Sequence, residues 1–207
     1  MKSAVLVSLG WCVAALALQL LRVLALGVHH AQAPARASAW RGVAWALGPG
    51  MLPWRKDGAR RHPAMVVAGV VYHLAVGVAL AFLALRLADG TVSRVWAAAA
   101  AVVLAAGACA GIGLLVRRAR SPMLRRISAP DDYASNLIAD LFLASAAVAA
   151  VRPALTTAFL AVATVLFAYA PLGKIRHCVY LPVARVIFGA QLGRRGVLAD
   201  ASHGGCA

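Results

Sequence analysis

Long apolar segments separated by basic linkers are the feature that most constrains how this chain can fold. A helix needs about 20 apolar residues to cross the hydrocarbon core of a bilayer. Five segments meet that length, namely residues 3–26, 64–87, 95–116, 133–151 and 155–179. Proline or glycine lies in each linker between them, where helices are expected to end. The sequence therefore predicts an all-α integral membrane protein with the architecture of a five-helix bundle.

The basic residues predict how these helices are oriented. A net charge of +15 on a soluble chain would suggest nucleic-acid binding, but 63% of the 207 residues are hydrophobic, more than a soluble domain of this size can bury. Sixteen of the 21 Lys and Arg residues fall on one side of the predicted spans and four on the other, while Arg22 lies within the first span. The positive-inside rule then predicts an outside N-terminus and a cytoplasmic C-terminus. The expected location is the bacterial cytoplasmic (inner) membrane.

The chain divides into four predicted segments. Residues 1–27 form the first transmembrane helix, and 28–63 form a cytoplasmic basic linker that holds a possible interfacial helix over residues 38–47. Residues 64–188 form a four-helix core, and 189–207 form a cytoplasmic tail. A signal peptide is the alternative interpretation of the first segment. Its long apolar run and the six positive charges that follow favour a retained helix.

Three ionisable side chains are expected inside the membrane, where such residues are costly and often functional. His73 lies in the second span, Asp140 in the fourth, and His177 towards the cytoplasmic end of the fifth. Two neutral imidazoles on facing helices are the ligand set for one b-type haem iron. Lys174 and Arg176 are expected to pair with the haem propionates. Purely structural histidines remain the alternative.

The depths of His73 and His177 in the membrane add a condition on how these two residues could bind one iron. His73 follows Pro63 by about 15 Å of helix, and His177 follows Pro153 by about 36 Å, at 1.5 Å per residue. Ligands to one iron must lie at the same depth, so the fifth span must tilt or bend. Pro171 is the residue expected to bend it.

The remaining polar residues allow several interpretations. Asp140 is a candidate for a quinone or proton site together with Arg61, or it pairs with Asn136 one turn before it on the same helix. Asp132 is expected to cap the fourth span. His62 is interpreted as a loop residue, with a shifted haem ligand as the alternative. No specific role is predicted for the remaining histidines, His29, His30 and His203.

Three short motifs make residues 64–195 resemble a known family. They are Tyr72-His73 early in the second span, the Arg-rich linker that leads to Asp131-Asp132 before the fourth, and Pro171, Lys174 and His177 near the end of the fifth. In this order they resemble the gamma (cytochrome b) subunit of respiratory nitrate reductase and related cytochrome b subunits of membrane redox complexes.

The resemblance implies a membrane cytochrome b subunit that exchanges electrons between quinone and a cytoplasmic iron–sulfur or molybdenum subunit. Family members usually hold two b haems, and the second pair of ligands would fall near Leu83 and Phe159, neither of which is histidine. The implied cofactor is therefore one haem b, between His73 and His177. A haem-less membrane anchor or assembly subunit of a redox complex is the alternative. A small transporter is disfavoured by the scarcity of carboxylates in the spans.

Overall fold

The computed structural model describes residues 1–27, 34–55 and 57–197, and in this part the chain is helical. Two helices of five residues, α3 and α6, lie in the linkers between longer ones. In chain order the α-helices are α1 (Lys2–Ala25), α2 (Ala39–Leu47), α3 (Asp57–Arg61), α4 (Pro63–Leu87), α5 (Arg94–Arg120), α6 (Pro122–Arg126), α7 (Pro130–Val151), α8 (Thr156–Tyr169) and α9 (His177–Arg194).

Four of these helices are long and apolar enough to cross a membrane, namely α1, α4, α5 and α7. They contain 24, 25, 27 and 22 residues. At 1.5 Å per residue each exceeds the ~30 Å of a bilayer core. They agree with the first four predicted spans, so the expectation of a multi-pass helical membrane protein is confirmed.

The fifth predicted span is not one continuous helix. The segments Pro153–Tyr169 and Lys174–Arg194 meet the same criterion only as a pair, which makes up to five spans if the pair counts as one. Because α8 has 14 residues, it is about 21 Å long and does not cross a bilayer core by itself. Pro171 lies in the break, where its ring and missing N–H prevent the helix from continuing. The sequence analysis expected a bend at Pro171, but its prediction of one continuous helix over residues 155–179 was wrong.

The described residues divide into two compact units. The first consists of Met1–Ala15 and Pro63–Ile175, and the second of Leu16–His62 and Arg176–Ala207. In the second unit the structure describes residues 16–27, 34–55, 57–62 and 176–197. In the first unit α7 packs against α4, α5 and α8. The fully buried Phe142 and Phe159 lie in its core with Phe82, at ring-centroid distances of 5.4 Å for Phe142–Phe159 and 5.6 Å for Phe82–Phe159.

Glycine allows the helices of the first unit to approach closely. A Cβ atom on Gly107 of α5 would overlap the Cβ of Ala75 on α4. One turn later on the same helix, a Cβ on Gly111 would overlap the carboxyl group of Asp140 on α7. This spacing of small residues is typical of helix pairs that pack in membranes. It places α5 within contact of both α4 and α7.

The second unit is organised by α2 and α9. Gly42 of α2 lies against Gly189 and Gly193 of α9, so closely that a Cβ at Gly42 would overlap their main-chain atoms. The main-chain N–H of Arg36 also donates a 2.7 Å hydrogen bond to the carbonyl oxygen of Arg194. The helix predicted for residues 38–47 is thus present as α2, and its buried face is made of small residues.

Candidate functional site

His73 lies on α4 and its imidazole is oriented by a hydrogen bond to the backbone. Its side chain is exposed, on a helix face that also presents Val70 and Leu74. Nδ1 lies 2.7 Å from the carbonyl oxygen of Gly69, one turn earlier. Because a carbonyl can only accept, Nδ1 carries the hydrogen and the lone pair that can bind a metal is on Nε2. Ligating histidines are commonly oriented by such a hydrogen bond to the backbone.

Glycines stand one turn on either side of His73. Gly69 precedes it by four residues and Gly77 follows it by four, so all three lie on one strip of the helix. A Cβ atom built on either glycine would meet nothing within 4 Å. A porphyrin held by His73 would need room beside the imidazole, and these two glycines would leave that room. The surroundings of His73 are therefore compatible with a haem.

The proline–lysine–histidine motif lies at the break after α8. Pro171 is buried within the break, Lys174 begins a 3-10 helix, and His177 is the first residue of α9. His177 and Arg176 are exposed and belong to the second unit, whereas His73 belongs to the first. The second unit also contains Arg61 and His62, both exposed. The remaining histidines of the sequence, His29, His30 and His203, lie outside the described residues.

The positions where the family pattern would require a second pair of histidines are packed with apolar side chains. Leu83 is 3% exposed and Phe159 is fully buried. Both belong to the core cluster that includes Phe82 and Phe142. Phe159 contacts both of these rings, so the aromatic side chains bring α4, α7 and α8 together at this level.

Lys174, predicted to pair with a propionate, makes an ion pair within the protein. Its ammonium group lies 2.7 Å from Oδ1 of Asp132, and Arg118 reaches the same oxygen at 3.3 Å. Oδ2 of Asp132 accepts a 2.8 Å hydrogen bond from the N–H of Ala129, so Asp132 caps α7 from the third position of the helix, while Ala129 is the N-cap residue. A propionate at Lys174 would therefore share this lysine with Asp132.

A second polar group stands beside this ion pair. Tyr169 of α8 donates a hydrogen bond to Asp131, and Oγ of Ser135 lies 3.3 Å from the same tyrosine hydroxyl. The main-chain N–H of Lys174 donates to Ser135 at 3.2 Å. These contacts attach the end of α8 and the break after it to the first turns of α7.

Asp140 is buried between three helices and is 4% exposed. Its Oδ2 accepts a 3.4 Å hydrogen bond from Nδ2 of Asn136, which confirms the predicted pairing along α7. The same amide donates at 3.2 Å to the hydroxyl of Tyr72 on α4. Oδ1 lies over Gly111 of α5, where the ring of Tyr72 is also in contact. A carboxyl group is thus held in the interior among Asn136, Tyr72 and Gly111.

Sequence reasoning missed some of these residues although their spacing was visible. Gly69 and Gly77 stand four residues on either side of His73, a symmetry that is visible in the sequence. Asp132, Asn136 and Asp140 recur at intervals of four along α7, which is the signature of a polar stripe on one helix face. The role of Gly111 had no sequence signal, because it depends on which residue of α7 lies opposite.

Comparison with known proteins identifies no relative of this chain. No protein-family model, no curated protein and no solved structure matches it. In the described part of the chain, no group of three or more His, Cys or Asp side chains is placed to hold a metal ion. The functional argument therefore depends on the local chemistry around His73, His177 and Asp140.

Proposed function

We propose that the chain is a membrane cytochrome b subunit that binds one haem b between His73 and His177. It carries electrons between the quinone pool and a cytoplasmic iron–sulfur or molybdenum subunit. The observation that carries this proposal is the setting of His73, whose Nδ1–H donates to Gly69 and whose neighbours at both adjacent turns are glycines with open space around them. When bound, haem supplies reversible one-electron chemistry that no side chain here provides.

His73 would be one of the two residues that hold the iron, through Nε2. The hydrogen bond from Nδ1 to Gly69 fixes the tautomer and the ring orientation. His177 would be the second ligand. It begins α9 directly after the break, so its position is set by a local turn of the chain and not by the middle of a straight helix.

The proposal is limited to one haem because of the packing around Leu83 and Phe159. Both side chains are buried in the aromatic core, and a second porphyrin at this level would have to displace Phe82 and Phe142 as well. Removing such large core side chains from their packing costs several kcal/mol each. The apolar core around Leu83 and Phe159 therefore supports a proposal of one haem and not two.

Basic residues supply the charge that a haem and a docked subunit would need. Arg176 precedes His177 and is exposed, so we assign it to a propionate, with Lys174 shared between Asp132 and the other propionate. The positive-inside rule places this end of the protein in the cytoplasm, with the N-terminus outside. An acidic surface on the partner subunit would complement it. Arg61 is assigned to a quinone headgroup.

The test is a dithionite-reduced minus oxidised absorption spectrum of the detergent-purified protein, with a pyridine haemochrome assay to count haems per chain. We expect one b haem in the wild type. His73→Ala and His177→Ala should each lose it, because each substitution removes one of the two imidazoles that would hold the iron. His62→Ala is the matched control and should retain the haem. Retention of haem by His73→Ala would refute this ligand assignment.

A second pair of variants tests the open space beside His73. Gly77→Leu should block the porphyrin and abolish haem binding, whereas Gly113→Leu on α5 should not. Both glycines lie in membrane-spanning helices with nothing within 4 Å of a Cβ, so the two substitutions disturb folding to a similar extent. Equal haem content in the two variants would contradict the proposed haem position. A wild-type chain that binds no haem when haem is abundant would favour the membrane-anchor alternative.

A further inference from the structure

Asp140 is an ionisable group that the proposed haem site does not itself use. The ion pairs in the described part of the chain join Lys2 to Asp89 and both Arg118 and Lys174 to Asp132, and none reaches Asp140. A carboxyl group buried without a cation has no counter-ion beside it to offset other charges, so nearby charges act on it strongly. Its surroundings therefore make the charge of Asp140 sensitive to any other charge that appears nearby.

The groups that face Asp140 come from each helix packed around it. From α4 the titratable neighbour is Tyr72, and from α7 itself the polar neighbour is Asn136. From α5 it meets the backbone of Gly111, where there is no side chain. The titratable group of α8, Tyr169, is bonded to Asp131, two turns or more away along α7. Within the described residues the carboxyl of Asp140 is thus the one acidic group at this level of the bundle.

Tyr72 connects this carboxyl group to His73. Its hydroxyl accepts the hydrogen bond from Asn136, which also donates to Asp140. Its ring packs edge-on against the imidazole of His73, with centroids 5.9 Å apart and planes at 85°. One side chain therefore contacts both the buried polar group and the proposed haem ligand. In a medium of low dielectric constant, a charge at one end of this short path is felt at the other.

We propose that Asp140 takes up a proton when the haem held by His73 accepts an electron, and releases it when the haem is oxidised. This inference rests on the proposed function. One electron, supplied by a hydroquinone or by the reduced partner subunit, converts ferric to ferrous iron. One proton from water converts the Asp140 carboxylate to the carboxylic acid, so the total charge of the site is unchanged.

Proton access is supported by the polar stripe of α7. Asp132, Ser135, Asn136 and Asp140 occupy the first eleven residues of this helix. Asp132 and Asp140 are eight residues apart, or about 12 Å along the helix axis. Asp132 stands at the charged end of the helix with Lys174 and Arg118. A proton would thus travel a short distance from the end of α7 to the buried carboxyl.

The experiment is a redox titration of the haem in the purified full chain at several pH values. In the wild type we expect the midpoint potential to fall by up to about 59 mV for each tenfold decrease in proton concentration, the value for one proton per electron. Asp140→Asn keeps the size of the side chain but cannot ionise, so its potential should be nearly independent of pH. Asp89→Asn is the matched control and should behave as the wild type, because Asp89 is exposed and paired with Lys2.

A spectroscopic readout separates proton uptake from a structural effect. The reduced minus oxidised infrared spectrum should contain a carboxylic-acid carbonyl band in the wild type and in Asp89→Asn, and the band should be missing in Asp140→Asn. A haem-loaded protein with the same pH dependence and the same band in all three forms overturns the inference alone. A wild-type chain that binds no haem overturns the proposed function, and the redox coupling of Asp140 with it.

Discussion

Replacing Gly111 with alanine places one methyl group where the structure has no room for it. Its Cβ would lie 2.9 Å from Cγ of Asp140 and still closer to Oδ1 and to the ring of Tyr72, whereas ordinary contacts of a Cβ are 3.4–4 Å. Overpacking of this kind destabilises proteins by about 1–3 kcal/mol. Displacing the carboxyl also weakens the Asn136–Asp140 hydrogen bond, by about 1 kcal/mol. The higher helix propensity of alanine offsets about 1 kcal/mol of this destabilisation, so the free energy of unfolding should fall by about 1–3 kcal/mol in total.

The assay is a denaturant titration in detergent micelles, followed by circular dichroism, that compares the free energy of unfolding of matched variants. Gly113→Ala is the control, because it lies two residues further on the same helix and its Cβ would meet nothing within 4 Å. We expect this control to remain within about 1 kcal/mol of the wild type. If Gly111→Ala unfolds at the same denaturant concentration as Gly113→Ala, the close approach of α5 to Asp140 is refuted.

Two further predictions concern other parts of the chain. Gly42→Ala should lower the free energy of unfolding by about 1–3 kcal/mol or more, since its Cβ would lie 2.8 Å from the main-chain nitrogen of Gly193. The control Gly10→Ala is at an open position and should leave the free energy of unfolding nearly unchanged. Equal stability of the two variants would contradict the close α2–α9 packing. Asp132→Asn keeps an oxygen for capping α7 but loses its ion pairs, including that with Lys174, so it should cost about 1 kcal/mol at low salt and less at high salt. A difference that does not change with salt would show that the ion pairs are not its source.

The membrane-spanning helices and much of the polar chemistry could be predicted from sequence. Length and apolarity determine whether a segment can span a bilayer, so the first four spans agree with α1, α4, α5 and α7. Contacts three or four residues apart on one helix are also local, which is why the Asn136–Asp140 pair could be listed among the roles of Asp140 and why Asp132 could be expected near the start of α7.

Contacts between helices required the tertiary structure. The partners of Asp132 include Arg118 from the previous helix and Lys174 from beyond the next, and no spacing in the sequence brings these residues together. The packing of Leu83 and Phe159 also required the tertiary structure. Sequence shows that they are not histidines, but their packing with Phe82 and Phe142 appears only when α4, α7 and α8 are brought together.

What the sequence alone determined is thus local in origin: which segments can enter a bilayer, which residues share a helix face, and where Pro171 interrupts a helix. These follow from the free energy of transferring side chains to hydrocarbon and from the helical repeat. What only the tertiary structure decided is which faces meet. Gly111 is one of 18 glycines in the sequence, and it matters because α7 turns Asp140 towards it. Packing between helices depends on shape at each contact, and that information is not contained in any single segment of the chain.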